Sequence, residues 1–317
     1  MDPITAWAVT TGEAGMRAQA RGLAHAAADA VLEFELAAAP LWRPGLGRWR
    51  ERLRPSPGGG PPEGLPDLLV TCGRRSAAFS AALASEARGV VRAHIQDPRR
   101  SVADFDLVIV LGHDDTAAAP NVIETVTALH EITPERLAAG AQGWRQRFAR
   151  LPRPLTGVAI GGPTRRSGFS RADGRRFIGI LRSARLQGGL AITPSRRTPG
   201  HVRRCLARTF GEDSGVFIFD GAGDNPYLGI LALSDRLLVT GDSVSMVSEA
   251  LATGRPVQVF DTGEGRHQRF LDTLVGRGLA SRAPAPAPPR TGPFDETPRA
   301  AAALRRLLQE RRTGRSG

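Results

Sequence analysis

Residues 235–260, DRLLVTGDSVSMVSEALATGRPVQVF, read as strand, tight loop, helix, turn and strand, with a carboxylate on the helix. Residues 237–240 form the short apolar run expected of a buried parallel strand. Gly241, Asp242, Ser243, Ser245 and Met246 then supply a turn, small hydroxyls and a helix start. Such a start exposes free backbone N–H groups and the positive end of the helix dipole, so an anion can sit there without a dedicated cation, and phosphate is its natural guest. Glu249 follows roughly one to two turns along, where a carboxylate can accept hydrogen bonds from a ribose diol. The helix closes at Gly254 and residues 256–260 open the next strand. An ordinary capped helix with a solvated Glu meets the same spacing equally well.

Outward from this unit, short apolar runs alternate with Ala- and Arg-rich helical stretches in the βα rhythm of a parallel sheet. Strands are expected at 4–9, 31–36, 67–71, 90–95, 106–111 and 122–126, with helices at 16–29 and 74–87. After Leu151-Pro152-Arg153-Pro154 a second series runs through 157–160, 190–193, 216–219, 236–239 and 257–260. A chain of 317 residues with 41% hydrophobic content exceeds one comfortable core. The expectation is an α/β protein of two doubly wound, Rossmann-like domains facing each other across a cleft. The first covers residues 1–152 and the second 153–290. Residues 291–317 form a helix and tail that either cross back to the first domain or hang free. Stretches 54–66 and 283–293, rich in Pro and Gly, read as flexible excursions.

The net charge is +12, and all 43 basic residues are arginine. This favours anionic partners, whether nucleotide phosphates, an acidic membrane surface or nucleic acid. Nucleic acid ranks last, because aromatic residues make up 5% of the chain and no recognition motif is present. Cys72 and Cys205 form no CxxC pair, so neither a disulfide nor a zinc site is expected. Asp2, the lack of a basic residue before Arg17 and the absence of about 18 consecutive apolar residues speak against a signal peptide and a spanning helix. A cytoplasmic protein is expected.

In doubly wound sheets ligands bind beyond the carboxyl ends of the strands. Ile160-Gly161-Gly162-Pro163-Thr164 ends one strand with glycines that admit a ligand to the backbone. Thr193-Pro194-Ser195-Arg196-Arg197-Thr198 ends the next with hydroxyls and guanidinium groups, and Asp220-Gly221-Ala222-Gly223-Asp224-Asn225-Pro226 ends a third. Together with Ser243 they would form one crevice of N–H, OH and Arg donors suited to a diphosphate. Singly, each is also an ordinary turn, solvated Arg pair or helix start.

Gly223-Asp224-Asn225-Pro226-Tyr227, Leu231-Ala232-Leu233-Ser234-Asp235 and Val239-Thr240-Gly241-Asp242-Ser243-Val244-Ser245-Met246-Val247-Ser248-Glu249-Ala250 resemble the mitochondrial fission family typified by the plant elongated-mitochondria protein, which has many bacterial relatives. The resemblance extends to Thr11-Gly12-Glu13-Ala14-Gly15, His94-Ile95-Gln96-Asp97-Pro98, Gly112-His113-Asp114, Asn121-Val122-Ile123 and Thr193 to Pro199. More distantly, the second half is similar to the GT-B glycosyltransferases, especially the enzyme that adds N-acetylglucosamine to the lipid-linked peptidoglycan precursor. That likeness implies a nucleotide-diphospho-sugar donor, a UDP-sugar favoured, with no further cofactor. Glu249 then matches the ribose-binding Glu, Asp220 to Asn225 the loop beside the uracil ring, and Gly161 to Thr164 the loop near the diphosphate. The acceptor-side loop, Gly12 to Gly15, departs from the enzyme, which has a Gly-rich loop ending in His.

Inverting glycosyl transfer needs a base near the acceptor hydroxyl and positive or dipolar groups at the departing diphosphate. With Arg and a helix start in that second role no metal is required. His113 or Asp114 is the preferred base and Glu13 follows, although a His-Asp-Asp run at a strand end is also an ordinary turn. His130 is a further cleft candidate, although a lone His is usually structural. Residues 41–54, LWRPGLGRWRERLR, place Trp42, Leu46, Trp49 and Leu53 on one helix face, ringed by Arg43, Arg48, Arg50, Arg52 and Arg54. This is the pattern of a helix on an anionic membrane surface presenting a lipid-linked acceptor, and equally of a stripe packed on its own domain. Two functions stay open: a metal-independent inverting glycosyltransferase, peripheral at the inner face of the membrane, and a noncatalytic interaction protein that keeps the fold.

Overall fold

The computed structural model describes residues 3–37, 53–55, 64–84, 89–112, 114, 116–163, 169–261, 266–289 and 292–313. The chain divides into two units, Met1–Glu131 with Glu296–Gly317, and Ile132–Asp295. The division falls at 131/132 rather than at the expected 152/153. Residues 132–152 join the second unit because helix α3 (Pro134–Gln142) packs on helix α7 (Tyr227–Leu233), with Gly140 so close to Leu228 that a Cβ there would meet it at 2.4 Å.

In the first unit seven strands lie in the order β3-β2-β1-β4-β5-β6-β7. They are β1 (Thr5–Thr10), β2 (Ala30–Leu36), β3 (Leu53–Pro55), β4 (Leu68–Cys72), β5 (Val91–Ile95), β6 (Leu107–Leu111) and β7 (Val122–Thr125). All pairs are parallel except β2 with β3. Fully buried β4 and β6 read as continuous apolar runs because a parallel sheet is covered on both faces. Helix α1 (Ala14–Ala27) follows β1 and α2 (Arg74–Ala82) follows β4.

Leu53 and Arg54, expected on the Trp-bearing helix, instead form an edge strand antiparallel to β2, with Leu36 opposite Leu53 and Phe34 opposite Pro55. Leu53 buries beside Trp7, Phe34 and Leu36, and Pro55 is tolerated because an edge strand leaves one side of its ladder unpaired. The rest of that segment, Trp42 and Trp49 included, lies outside the described residues. The C-terminal helix, α10 (Thr297–Thr313), packs on α1 through Ala300, Ala301, Leu304 and Leu308 against Ala20, Leu23 and Ala24. The Glu296 carboxylate accepts the backbone N–H groups of Val126 and Thr127, and Arg311 pairs with Asp106.

The second unit has a six-stranded, all-parallel sheet in the order β10-β9-β8-β11-β12-β13. Its strands are β8 (Thr156–Ile160), β9 (Leu190–Pro194), β10 (Val216–Ile218), β11 (Arg236–Thr240), β12 (Val257–Phe260) and β13 (Ser281–Arg282). Helix α5 (Arg171–Arg185) starts with a reciprocal box: Ser170 Oγ accepts the Asp173 N–H and the Asp173 carboxylate accepts the Ser170 N–H, each at 3.0 Å. Phe177, Ile178 and Leu181 of α5 and Val202, Leu206 and Phe210 of α6 (Gly200–Phe210) bury on the sheet with Phe260. Helices α8 (Val244–Ala252) and α9 (Arg266–Gly276) complete the unit, and α4 (Arg145–Phe148) sets Trp144 and Phe148 against Phe217.

Candidate functional site

Strand order reverses in the second unit between β8 and β11, since β8 leads to β9 and β10 on one side while the chain returns to β11 on the other. A reversal of this kind splays the loops apart and leaves a crevice at the carboxyl ends. The loops around it are those expected from the sequence, and they are closely tied. Gly161 N donates to Thr240 Oγ1 at 2.7 Å and Gly162 N to Asp242 Oδ2 at 2.8 Å. A Cβ on Gly161 would stand 2.1 Å from Asp242 Oδ2, and one on Gly162 2.1 Å from the Arg197 carbonyl oxygen. Only glycine fits at either place.

The β9 loop leans on the same glycines. Ser195 N donates to the Ile160 carbonyl at 2.8 Å, and Thr198 Oγ1 lies 2.9 Å from that oxygen and 2.6 Å from the Gly161 carbonyl. Ser195 Oγ accepts from Arg197 N at 3.3 Å, and Arg203 holds the Ser195 carbonyl at 2.6 Å. Arg196 and Arg197 are exposed. Arg197 reaches back toward Asp242, Nη2 to Oδ2 3.8 Å.

Asp242 is 4% exposed, and its Oδ1 has no hydrogen-bond partner among the described residues. Burial raises its pKa above the usual carboxylate value, although Thr240, the Gly162 N–H and Arg197 pull the other way. It is thus a weakly acidic group set among donors, at the point where α8 begins. Ser243 caps that helix, accepting from Met246 N at 3.4 Å, and Ser245 and Met246 are half-buried in its first turn.

Glu249 points inward from α8 and is 8% exposed. Its carboxylate accepts the phenolic O–H of Tyr227, the first residue of α7. Burial first, and then the neighbouring Glu249 charge, push the Tyr227 phenol well above its ordinary value and keep it a donor. Asn225 leads into that helix, its Oδ1 accepting Tyr227 N at 3.1 Å. The loop before it turns through Gly221 and Gly223 at φ of 101° and 71°, both facing open space. Tyr227 and Thr240 were given no role from the sequence, and Asp242 and Thr198 entered only as members of their loops. The signal for Tyr227 was its standing as the only tyrosine in the chain.

In the first unit the matching reversal lies between β1 and β4. Gly12 turns there at φ 91°, and Glu13 precedes α1, its carboxylate accepting Thr11 Oγ1 at 2.5 Å. Gly15 follows in the first turn, its carbonyl accepting from Gln19 at 3.1 Å. Asp114, after β6, accepts the Leu111 N–H at 3.4 Å. Burial, then the charges of Glu13 and Asp114, drive the Cys72 thiol of β4 far above its usual value. The two expected carboxylate bases therefore stand around one strand end. His130 is buried, its backbone N–H accepted by Thr297 Oγ1 at 3.3 Å. His113 and Thr164 lie outside the described residues, and no metal-holding cluster of His, Cys, Asp and Glu occurs among the described ones.

A family model described as Mitochondrial fission ELM1 matches residues 14–308. The Mitochondrial fission protein ELM1 of Arabidopsis thaliana is 33% identical over 242 residues, which span 68% of this chain and 56% of that protein. The chain thus spans little over half the length of this curated relative. Among solved structures, the UDP-GlcNAc 2-epimerase of Methanocaldococcus jannaschii in complex with UDP-GlcNAc and UDP aligns at a TM-score of 0.53 and 13% identity, covering 96% of this chain and 99% of that one. The glycotransferase of kitacinnamycin aligns at 0.52 and 12%, covering 98% and 95%. At these identities the likeness is one of fold, a GT-B-like pair of doubly wound domains.

Proposed function

The chain belongs to the mitochondrial fission ELM1 family, and from that premise we propose that it binds a nucleotide-diphospho-sugar in its second unit and transfers the sugar, with inversion and without a metal, to an acceptor hydroxyl. One observation carries the donor half: two glycines that admit no side chain face a helix start across the strand reversal, with an inward carboxylate one helix turn and a half along. Gly161, Gly162 and Thr164 would face the diphosphate, with Ser195, Arg196, Arg197, Ser243, Ser245 and Met246 as donors around it. Asn225 would lie beside the base and Glu249 would hold the ribose. A UDP-sugar is favoured because a protein of the same fold was solved with UDP-GlcNAc and UDP.

On the acceptor side Glu13, His113 or Asp114 takes the proton of the acceptor hydroxyl as its oxygen bonds to the anomeric carbon. The bond from that carbon to the diphosphate breaks, and the leaving oxygen keeps the electron pair, stabilised by the arginines and the helix start. The acceptor is lipid-linked in this proposal, presented where Trp42 and Trp49 meet an anionic bilayer at the inner face of the membrane. The second reading, a noncatalytic interaction protein that retains the fold, draws on the plant relative, a mitochondrial fission protein.

A thermal-shift series with UDP and UDP-sugars tests the donor half. Stabilisation near millimolar ligand, lost in Glu249→Ala while the variant remains folded, is the expected result. No shift with any nucleotide would leave only the noncatalytic reading standing.

A further inference from the structure

Net charge in this chain is concentrated in one place. Residues 171–210 contain ten arginines and a single carboxylate, Asp173, so these forty residues hold nine of the twelve net positive charges. The segment comprises α5, β9 and α6, and the two helices pack on each other over the sheet of the second unit. Phe177, Ile178 and Leu181, with Val202, Leu206 and Phe210, take the inward faces. The arginines are therefore displaced outward.

Some are engaged locally: Arg176 with Asp173, and Arg185 with Asp213. Arg171, Arg175 and Arg182 of α5 and Arg204 of α6 are exposed and meet no carboxylate among the described residues. At 3.6 residues per turn, Arg171, Arg175, Gly179, Arg182 and Leu186 fall within an arc of about 80° and span about 22 Å. The line is straight and uncovered, because a side chain built on Gly179 would meet no neighbour. It ends in Leu186, which is 90% exposed at the helix C-terminus. On α6, Arg204 and Arg208 are also exposed.

We infer that the outward face of α5 and α6 docks the second unit on an anionic phospholipid surface. Two helices side by side on a sheet present a plane rather than a ridge, which matches a bilayer and not a nucleic-acid groove. Arginine stems lie along such a plane while their heads meet lipid phosphates. An exposed leucine at the end of the line gains by entering the interface, whereas facing water or a polar polyanion it gains nothing. Single-stranded nucleic acid would call for stacking rings, and neither outward face carries an exposed Phe, Tyr or Trp. The inference is independent of the nucleotide-sugar proposal and of the segment holding Trp42 and Trp49.

Flotation of the full chain, without nucleotide, separates the outcomes. Wild type should rise with vesicles of phosphatidylcholine mixed with phosphatidylglycerol and stay behind with pure phosphatidylcholine. It should also be released at about 1 M salt, where the Debye length is about 3 Å. Each arginine near an anionic surface strengthens binding about fivefold, so Arg171→Glu/Arg175→Glu/Arg182→Glu should lower the partition coefficient roughly a hundredfold with thermal unfolding unchanged. Leu186→Glu should lower it as well, and Trp42→Glu/Trp49→Glu should leave the part due to this face in place. The inference is overturned if the folded triple variant floats like wild type, or if wild type fails to float with the anionic vesicles. Retention on duplex DNA or on an acidic protein under conditions where vesicles recover nothing would overturn it too, assigning the face to that partner.

Discussion

Tyr227 and Glu249, 22 residues apart in sequence, form a hydrogen bond between the start of α7 and the middle of α8. The phenol donates and the carboxylate accepts, so the loop that ends at Asn225 and the helix that begins at Ser243 are held by one contact. Both groups sit largely away from water, where an unmet polar atom is costly.

Tyr227→Phe should therefore destabilise the protein by about 1–3 kcal/mol, the range for leaving a buried carboxylate short of a donor. Denaturant unfolding measures it. In a Glu249→Gln background the same change should cost less, and additive losses would mean that the pair is not coupled.

Asp242 places a carboxylate beside a proposed anion site, and its two roles pull apart by substitution. Asp242→Asn keeps an acceptor for the Gly162 N–H and removes the negative charge, so UDP should bind several-fold more tightly. Asp242→Ala frees the glycine loop and should weaken binding. Calorimetry on both would decide: equal losses in the two variants would show that the charge does not bear on the ligand. Because burial raises this pKa, the group's contribution to stability is fully present below the ordinary carboxylate value and is lost as pH rises through the folded-state value. Asp242→Asn should accordingly flatten the fall in stability of the unliganded protein above about pH 4.

Gly162→Ala would force a Cβ to 2.1 Å from the Arg197 carbonyl oxygen. Backbone cannot yield as a flexible side chain does. Overpacking of this kind should cost about 1–3 kcal/mol and abolish the UDP shift, whereas Gly179→Ala, which meets nothing, should leave both unchanged or slightly improved.

His94 is buried between Thr71, whose Oγ1 is 2.8 Å from Nδ1, and the stacked ring of Phe105, and burial lowers its pKa to about 3. The unfolded chain takes up a proton below about pH 6.5 while the folded one does not, so acid favours unfolding. This group alone should remove about 1.4 kcal/mol of stability per pH unit as pH falls from about 6 toward 3. Unfolding curves at pH 7.5 and 5 should show a smaller difference for His94→Asn than for wild type, and an unchanged difference would refute the assignment.

Apart from β3 and the two-residue β13, the strands of both sheets were legible because parallel strands buried on two faces are short apolar runs with little else in them, and 257–260 or 107–111 admit few other readings. The loops at the carboxyl ends of the second sheet were legible for a related reason: glycine, hydroxyl and proline residues cluster where strands end. Strand β3 was not, since three residues acquire strand identity only from their partners Phe34 and Leu36, and the alternation of Trp, Leu and Arg before it fits a helix as well. Nor was the company Glu249 keeps. Its position on the helix follows from local spacing, but the phenol that meets it comes from another element and depends on the packing of the whole unit.

The apolar face of α1 is covered by α10, while residues 132–295 of the other unit lie between them in sequence. During synthesis the intervening unit leaves the ribosome with all its strands and can fold at once. The earlier-made unit waits, with Ala20, Leu23 and Ala24 lacking their α10 partners until Ala300, Ala301, Leu304 and Leu308 emerge. A chaperone or an early-released chain would find its sticky surface there, and a protein cut after residue 295 should bind an apolar-sensing dye that the 317-residue chain ignores.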